Sequence, residues 1–223
     1  MQVKTVLFCL TVACATNCGA GEADLKPRKA ISMTHAQDEE PSSDTRNMLA
    51  WVLNSGNNTD LPFIILDKKQ AMVYVFYADG RLRGATPALI GAAVGDDAVA
   101  GIGERKLSAI LAHERTTPAG RFVAWLDRNL QGRKILWVDY DSAVSLHPVV
   151  TSNAKERRAE RLATKTHTDN RISYGCINVP PAFFKNVVLP NFSGANGIVY
   201  VLPETRPVMP FFSASAKEVS SGH

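Results

Sequence analysis

The residue best suited to covalent chemistry is Cys176, which lies in the segment Arg-Ile-Ser-Tyr-Gly-Cys-Ile-Asn at residues 171–178. The other cysteines all lie in the apolar N-terminus: Cys9, Cys14 and Cys18. If that N-terminus is removed, the Cys176 thiol has no intramolecular partner and is a candidate nucleophile. Gly175 leaves room for a substrate backbone, and N–H groups at such a turn can face an oxyanion. The alternative is a buried structural thiol, because free cysteine is among the most buried residue types.

A cysteine nucleophile needs a base that holds it as the thiolate. The chain has five histidines: His35, His113, His147, His167 and His223. His147 is favoured because it ends an apolar strand, where a rigid backbone can hold a base accurately. His167 stays the alternative base, since it lies closer to the cysteine in sequence. The histidines show no metal-ligand spacing, so we expect neither a metal nor another cofactor.

Strands that position these residues are predicted from apolar runs rich in Val, Ile, Tyr and Phe. They fall at residues 61–66, 69–77, 82–90, 121–126, 135–140, 143–146 and 198–202. Asp79-Gly80 predicts a hairpin turn, because it supplies the positive φ angles that a tight turn needs. Helices are predicted at residues 45–53 and 180–188, and 154–163 is either a charged surface helix or an ordered insertion. The fold class is therefore mainly β.

The N-terminus predicts export. Lys4 precedes an apolar run that ends in the small residues Ala13-Cys14-Ala15, so residues 1–20 are assigned to a signal peptide. Lipidation at Cys14 remains a less favoured alternative. No other segment is long and apolar enough to span a membrane, which predicts an exported, periplasmic protein. Residues 21–60 are predicted as a flexible leader, 61–203 as the catalytic domain and 204–223 as a mobile tail.

Composition narrows the class of protein further. A chain of 223 residues that is 45% hydrophobic can bury one substantial core, so one folded domain is expected. The formal charge is +4 and the pI is about 8.9. No stripe of basic residues with interleaved aromatics accompanies this charge, so no nucleic-acid partner is expected.

Residues 173–178, Ser-Tyr-Gly-Cys-Ile-Asn, resemble the Ser/Thr-x-Gly-Cys-x-Arg/Asn motif of the L,D-transpeptidase (YkuD-like) catalytic domain. Three further segments resemble the family in the same order: the hairpin Gln70–Gly91, Thr117–Phe122, and Leu146-His147. The resemblance covers about residues 63–202. It implies an L,D-transpeptidase-like β-sandwich or barrel with one or two short helices, acting on peptidoglycan stem peptides.

In that family, the chemistry is thiol-based acyl transfer. The resemblance implies that Cys176 attacks the stem peptide and that His147 moves the protons. It also implies that the Pro148 carbonyl orients the imidazole and that the backbone N–H groups of Gly175 and Cys176 stabilise the oxyanion, with Tyr174 as a further candidate donor. An amine of a neighbouring stem, an envelope protein or water would then accept the acyl group.

Ser173 is expected to support the histidine or the stem peptide, while Tyr174, Asn178 and Arg171 are assigned to substrate binding. Several features depart from the family. Tyr174 stands where the family often has His, and Pro148 stands where it usually has Gly. The interval from His147 to Cys176 is longer than usual, and residues 151–170 are the predicted insertion, a candidate lid or contact for acidic groups.

Two alternatives to a transferase remain. An L,D-carboxypeptidase or amidase would hydrolyse the same acyl-enzyme. A non-catalytic peptidoglycan-binding module would keep the cleft without using the thiol. A thiol redox protein is disfavoured, because the body of the chain has no Cys-x-x-Cys pair.

Overall fold

An eight-stranded mixed sheet, curled until it is nearly closed into a barrel, dominates the computed structural model of the protein, which describes residues 40–220. Its strands are β1 (Phe63–Asp67), β2 (Met72–Phe76), β3 (Leu82–Pro87), β5 (Gly120–Arg128), β6 (Lys134–Asp139), β7 (Val144–Pro148), β9 (Ile177–Val179) and β10 (Gly197–Val201). A small second sheet joins β4 (Ile90–Gly91) to β8 (Arg171–Ser173).

The helices are short and lie outside the strands. They are α1 (Ser43–Ser55), α2 (Arg158–Ala163), α3 (Pro181–Phe183), α4 (Leu189–Phe192) and α5 (Val208–Ser220), with a π-helical turn (Phe184–Val188) between α3 and α4. Single 3-10 turns lie at Ile102–Glu104, Leu107–Ala109, Ala112–Glu114 and Ala154–Glu156. The mainly β class expected from the sequence is thus confirmed.

The order of strands in the large sheet is β3-β2-β1-β10-β5-β6-β7-β9. Most neighbours are antiparallel, but β1 pairs with β10 and β7 pairs with β9 in parallel. Beyond β3, Leu89 and Asn178 exchange two backbone hydrogen bonds of 2.8 Å. This bridge connects the β3 edge of the sheet to the β9 edge and brings the sheet close to a barrel.

The two faces of the sheet are used differently, because side chains alternate along a strand. The inner face buries one apolar cluster, which includes Ile64, Leu66, Val75, Leu136, Leu146, Ile177 and Val199 together with Phe184 and Val188. On the outer face, α1 and α5 cover β1, β2 and β10 with a second cluster, which includes Met48, Val52, Phe63, Tyr200 and Phe212. The outer face of β5, β6, β7 and β9 carries the candidate site.

The helix predicted at residues 45–53 is present as α1, and it is longer. Ser42 caps its N-terminus by accepting the Thr45 N–H, and Gly56 ends it in the left-handed conformation. Met48, Leu49 and Val52 are buried in the outer cluster. This part of the predicted flexible leader is therefore packed on the sheet.

The tail predicted to be mobile contains α5 instead. Val208, Phe211 and Phe212 recur at helical spacing, and the first and last of these are buried against the outer face of the sheet. The Phe212 ring lies 6.0 Å from Tyr200 and 6.2 Å from Trp51 between centroids. Burial of these rings offsets the cost of ordering a Pro- and Ser-rich segment.

Two other predicted elements differ in detail. The predicted strand 82–90 is divided into β3 and β4, which belong to different sheets. The predicted helix 180–188 continues to Phe192, because Phe184, Val188 and Phe192 form a buried stripe against the inner cluster. Within residues 40–220, no helix is both long and apolar enough to cross a membrane.

Candidate active site

The thiol and the imidazole are brought together by two parallel strands. In the pairing of β7 with β9, Leu146 is opposite Ile177 and His147 is opposite Asn178. Leu146 and Ile177 face the inner core, so His147 and Asn178 face outward. Cys176 directly precedes β9, which brings its thiol close enough to the His147 imidazole for each group to shift the pKa of the other.

Each member of this pair shifts the pKa of the other. Burial alone raises the pKa of the Cys176 thiol, but its hydrogen bond and charge interaction with His147 outweigh burial and lower it. Burial likewise lowers the pKa of His147, but the interaction with Cys176 and the hydrogen bond to Pro148 raise it overall. Both shifts favour a thiolate–imidazolium pair, which is the reactive form of such a dyad.

The Pro148 carbonyl fixes the tautomer of the imidazole. His147 Nδ1 lies 2.8 Å from the Pro148 carbonyl oxygen. A carbonyl only accepts, so Nδ1 carries a proton and donates it to this bond. Nε2 is then the nitrogen that exchanges a proton with the thiol.

The thiol has two further neighbours that the sequence did not indicate. Ser145 Oγ lies 3.8 Å from Cys176 Sγ, and the Ala143 carbonyl oxygen lies 3.6 Å from it. Ser145 is buried and comes two residues before His147 on the same face of β7. Alternation along β7 is the sequence signal that could have identified Ser145.

The turn before the thiol is held by Ser173. Its hydroxyl donates to the Cys176 carbonyl oxygen at 2.6 Å and accepts the Gly175 N–H at 3.1 Å. The expectation that the Gly175 N–H faces an oxyanion is therefore corrected, because this N–H already has an acceptor. The N–H groups of Tyr174 and Cys176 have no hydrogen-bond acceptor among the residues that the structure describes. Ser173 orders the turn rather than contacting the imidazole.

Thr117 is a buried residue at the site that sequence reasoning did not assign. Its hydroxyl donates to the Gly175 carbonyl oxygen at 2.8 Å and accepts the Gly91 N–H at 2.9 Å. Gly175 has a φ of 131°, and a Cβ there would lie 2.7 Å from the Thr116 carbonyl oxygen. The turn therefore packs against residues 116–117 too closely for any side chain at position 175.

Tyr174 and Asn178 occupy opposite sides of the turn. The Tyr174 ring stacks under the Arg115 guanidinium, whose Cζ lies 4.1 Å from the ring centroid. Asn178 is almost fully buried; its Nδ2 donates to the Cys176 carbonyl oxygen at 3.1 Å, and its Oδ1 accepts from Arg158 at 3.1 Å. Asn178 thus supports the turn, and Tyr174 is half-buried beside it.

Arg171 lies in a different environment from the one expected. Its guanidinium pairs with Glu204 and donates to the carbonyl oxygens of Gly91 and Ala93. Glu204 also pairs with the fully buried Lys68, which contacts Asp96. Arg171 therefore belongs to a buried ion network that ties β8 to the chain after β10, and we do not carry it forward as a substrate-binding residue.

The Lys68 network also supports the thiol indirectly. Lys68 Nζ donates to the Asp96 carboxylate at 2.9 Å and to the Thr117 carbonyl oxygen at 2.9 Å. Asp96 in turn accepts the backbone N–H groups of Glu204 and Thr205. Burial disfavours the Asp96 carboxylate, but the hydrogen bonds from Thr205 and Lys68 lower its pKa far below the usual range. The network holds Thr117, and Thr117 holds Gly175.

The other candidate base, His167, is exposed and lines a cavity of about 480 Å³ together with Met72, Leu162 and Asn170. The side-chain groups around Cys176 Sγ come instead from His147 and Ser145. No group of three or more His, Cys, Asp or Glu side chains within residues 40–220 is arranged to hold a metal ion.

Comparisons with known proteins give structural neighbours only. No protein-family profile and no curated protein matches the chain. The L,D-transpeptidase LdtMt1 in complex with imipenem matches with 17% identity and a TM-score of 0.37, over 64% of this chain and 59% of that one. An L,D-transpeptidase from Mycobacterium smegmatis matches with 16% identity and a TM-score of 0.37, over 63% and 58%.

A third neighbour is the helical cell shape determining protein Pgp2 (K307A mutant) from Campylobacter jejuni. It matches with 11% identity and a TM-score of 0.45, over 75% of this chain and 58% of that one. The chain thus spans less than two thirds of the length of each of these solved chains.

Proposed function

We propose that the protein is a cysteine acyltransferase that acts on peptidoglycan stem peptides by L,D-transpeptidation. The observation that carries this proposal is the pairing of the Cys176 thiol with the His147 imidazole across β7 and β9, with Nδ1 held by Pro148. Peptidoglycan as the substrate comes from the resemblance of residues 173–178 to the L,D-transpeptidase motif.

In the first half of the reaction, the Cys176 thiolate attacks the carbonyl carbon of the L-to-D peptide bond. The C–S bond forms as the carbonyl becomes an oxyanion, which the free N–H groups of Tyr174 and Cys176 are placed to receive. The C–N bond then breaks, and the imidazolium of His147 gives its proton to the leaving amine. The products are a thioester and a free D-amino acid.

In the second half, an amine on a neighbouring stem attacks the thioester carbon and passes a proton to His147. The new C–N bond forms, the C–S bond breaks, and Cys176 leaves as the thiolate. An amine of an envelope protein would follow the same steps. With water as acceptor the product is a shortened stem, which makes the protein an L,D-carboxypeptidase.

The same proposal includes export to the periplasm and the domain limits predicted above. The predicted signal peptide at residues 1–20 lies outside the described residues. The proposed catalytic domain, 61–203, contains every strand found within residues 40–220. The packed helices α1 and α5 lie on either side of it in sequence and contact the same sheet face.

The deciding experiment is mass spectrometry of muropeptides after purified sacculi are incubated with the protein lacking residues 1–20. Wild type is run beside Cys176→Ala, His147→Ala and His167→Ala. We expect new direct cross-links between stems with wild type and His167→Ala, and none with the other two variants. His167→Ala is the matched control, because it removes an exposed imidazole that is not among the contacts of the thiol.

Three other results would change the conclusion. Shortened stems without cross-links would make water the acceptor and favour the carboxypeptidase. Loss of activity in His167→Ala with retention in His147→Ala would overturn the proposed dyad. No product with any protein, despite binding to sacculi, would favour the non-catalytic binding module.

A further inference from the structure

The insertion between β7 and β9 brings a buried cation to the edge of the candidate active site. Arg158 opens α2, and its side chain is only 13% exposed. One guanidinium nitrogen, Nη1, donates to Asn178 Oδ1 at 3.1 Å, and Nε donates to Glu156. Asn178 is the residue paired with His147 in the strand register. Arg158 is thus one hydrogen bond away from the residue that supports the Cys176 carbonyl.

The charge of Arg158 reaches the imidazole. It acts on His147 to lower its pKa, against the raising effect of Cys176. Among the described residues, the main charges acting on this imidazole are the thiolate of Cys176 and the guanidinium of Arg158, and that guanidinium is also paired with Glu156. A second cation would otherwise be a liability beside an imidazolium, because like charges disfavour each other. An anion bound between them would remove that conflict.

Part of the guanidinium remains available for such an anion. Nη2 of Arg158 has no acceptor among the described residues, and it is not among their buried polar atoms that lack a partner. It therefore keeps access to solvent. Arginine presents N–H donors in a planar fork that matches the two oxygens of a carboxylate.

The chemistry of the proposed reaction places a carboxylate at this position. His147 must lie beside the leaving nitrogen in order to protonate it. The α-carboxylate of a terminal amino acid is attached one carbon away from that nitrogen. A cation that bonds to the strand partner of His147, and whose charge acts on the imidazole, is therefore on the side of the carboxylate of the leaving residue when the peptide ends there.

We propose that Arg158 forms a carboxylate-binding subsite beside the thiol and binds the free α-carboxylate of the D-amino acid that leaves. This inference rests on the proposed acyl transfer at Cys176. It assigns the insertion a role in selecting donor peptides that end one residue after the scissile bond. A side-chain carboxylate of the residue before the bond is the other source of the same chemistry.

The test compares Arg158→Gln with Arg157→Gln, its neighbour in sequence. Arg157 is 70% exposed and pairs with Glu160, so it is the matched control. Three synthetic peptides with one L-to-D bond are used: a free acid, its C-terminal carboxamide, and a free acid whose side-chain carboxylates are amidated. The wild type should have a KM for the carboxamide about tenfold to a hundredfold higher than for the free acid.

In Arg158→Gln, we expect the KM for the free acid to rise to the wild-type carboxamide value, while kcat changes little. Arg157→Gln should behave as wild type, and Arg158→Lys should be intermediate, because it keeps the charge without the fork. If amidating the side-chain carboxylates, and not the C-terminal carboxylate, is the change that removes the KM difference between wild type and Arg158→Gln, the subsite binds the side-chain carboxylate instead. Equal effects of Arg158→Gln on the free acid and the carboxamide would overturn the proposal.

Two readouts separate this subsite from the fold and from the reaction. NMR titration of His147 should show a higher pKa in Arg158→Gln than in wild type, with no change in Arg157→Gln. Peptide binding to Cys176→Ala requires no turnover, so a preference for the free acid that Arg158→Gln abolishes would support the subsite even if acyl transfer fails. Unchanged preference would contradict it. Thermal unfolding checks that each variant remains folded.

Discussion

Thr117 and Gly175 are joined by a buried hydrogen bond, in which the Thr117 hydroxyl donates to the Gly175 carbonyl oxygen at 2.8 Å. The two residues lie 58 positions apart in the chain. Because the same hydroxyl accepts the Gly91 N–H, one threonine connects the start of β5, the β4 strand and the turn that presents the thiol. The position of Cys176 thus depends on a side chain that is buried away from substrate, since Thr117 is 2% exposed.

Replacing Thr117 with Val should therefore weaken both the fold and the site. The change keeps the shape but leaves the buried Gly91 N–H and Gly175 carbonyl without their partner. We expect a loss of about 1–3 kcal/mol in the free energy of unfolding, measured by urea denaturation. The turn should also be less well held, so kcat should fall more than KM changes.

Thr116→Val is the control for this experiment. The Thr116 hydroxyl bonds to the Asp97 carbonyl oxygen at an exposed position, where water can replace it. Its effect on unfolding should stay within about 0.5 kcal/mol. Equal effects of the two substitutions would show that the Thr117 hydroxyl has no special role.

The reactivity of Cys176 should depend on pH through His147. In wild type, the interaction with His147 lowers the pKa of the thiol. The pH at which iodoacetamide alkylation reaches half its maximal rate should therefore lie below the pKa of a free cysteine, about 8.5. His147→Ala removes that interaction, so its midpoint should lie at a higher pH than the wild-type midpoint. A midpoint that does not move would argue against a coupled thiol–imidazole pair.

Gly175→Ala should impair the site while the protein remains folded. A methyl group at this position meets the Thr116 carbonyl oxygen, and the φ of 131° is unfavourable for any other residue. We expect a loss on the order of 1–3 kcal/mol in unfolding free energy together with slower acyl transfer. Gly194→Ala, where no atom lies within 4 Å of the new methyl group, should change neither quantity.

Asp96→Asn should destabilise the fold strongly, because it leaves the buried charge of Lys68 without the closer of its two carboxylate partners. Removing one member of a buried ion pair costs about 3–5 kcal/mol. Asp97→Asn is the matched control, since Asp97 is 82% exposed and pairs only with Arg206 at the surface. Its effect should stay within about 0.5 kcal/mol in the same urea denaturation experiment.

The same carboxylate determines part of the acid sensitivity. The folded pKa of Asp96 is lower than that of an unfolded aspartate, about 3.9. Its stabilising contribution is therefore complete above that unfolded value and is lost as the pH falls through the lower, folded pKa. Unfolding free energies measured from pH 6 to pH 2 should show a smaller decline in Asp96→Asn than in wild type. Parallel curves would contradict this assignment.

Local signals predicted the elements of the fold better than their partners. Asp79-Gly80 predicted the hairpin of β2 and β3, because turn chemistry is determined by adjacent residues, and Gly80 has the required positive φ of 82°. The parallel pairing of β7 with β9 had no comparable signal, since an insertion separates these strands. The C-terminal helix was missed because Pro and Ser near Val208 obscured the helical spacing of the apolar residues.

The same contrast between local signals and long-range contacts applies to the residues of the candidate site. Cys176 and His147 were identified from their residue types and from the end of an apolar strand. Ser145, Ala143 and Thr117 were not, because their roles depend on which backbone groups the folded chain leaves near the thiol. Arg158 belonged to a segment predicted as a charged surface helix, and only the contact with Asn178 distinguishes it from its exposed neighbour Arg157.

The register of β7 and β9 has a consequence for how such sites can diversify. The backbone pairing of His147 with Asn178 fixes the imidazole and the thiol from within the sheet, so the chain between them is free to grow or shrink. The segment between β7 and β9, which can carry recognition residues, can therefore be replaced by another without moving the reacting atoms. Searches for related proteins should accordingly treat the histidine–cysteine interval as variable and require the two strands instead.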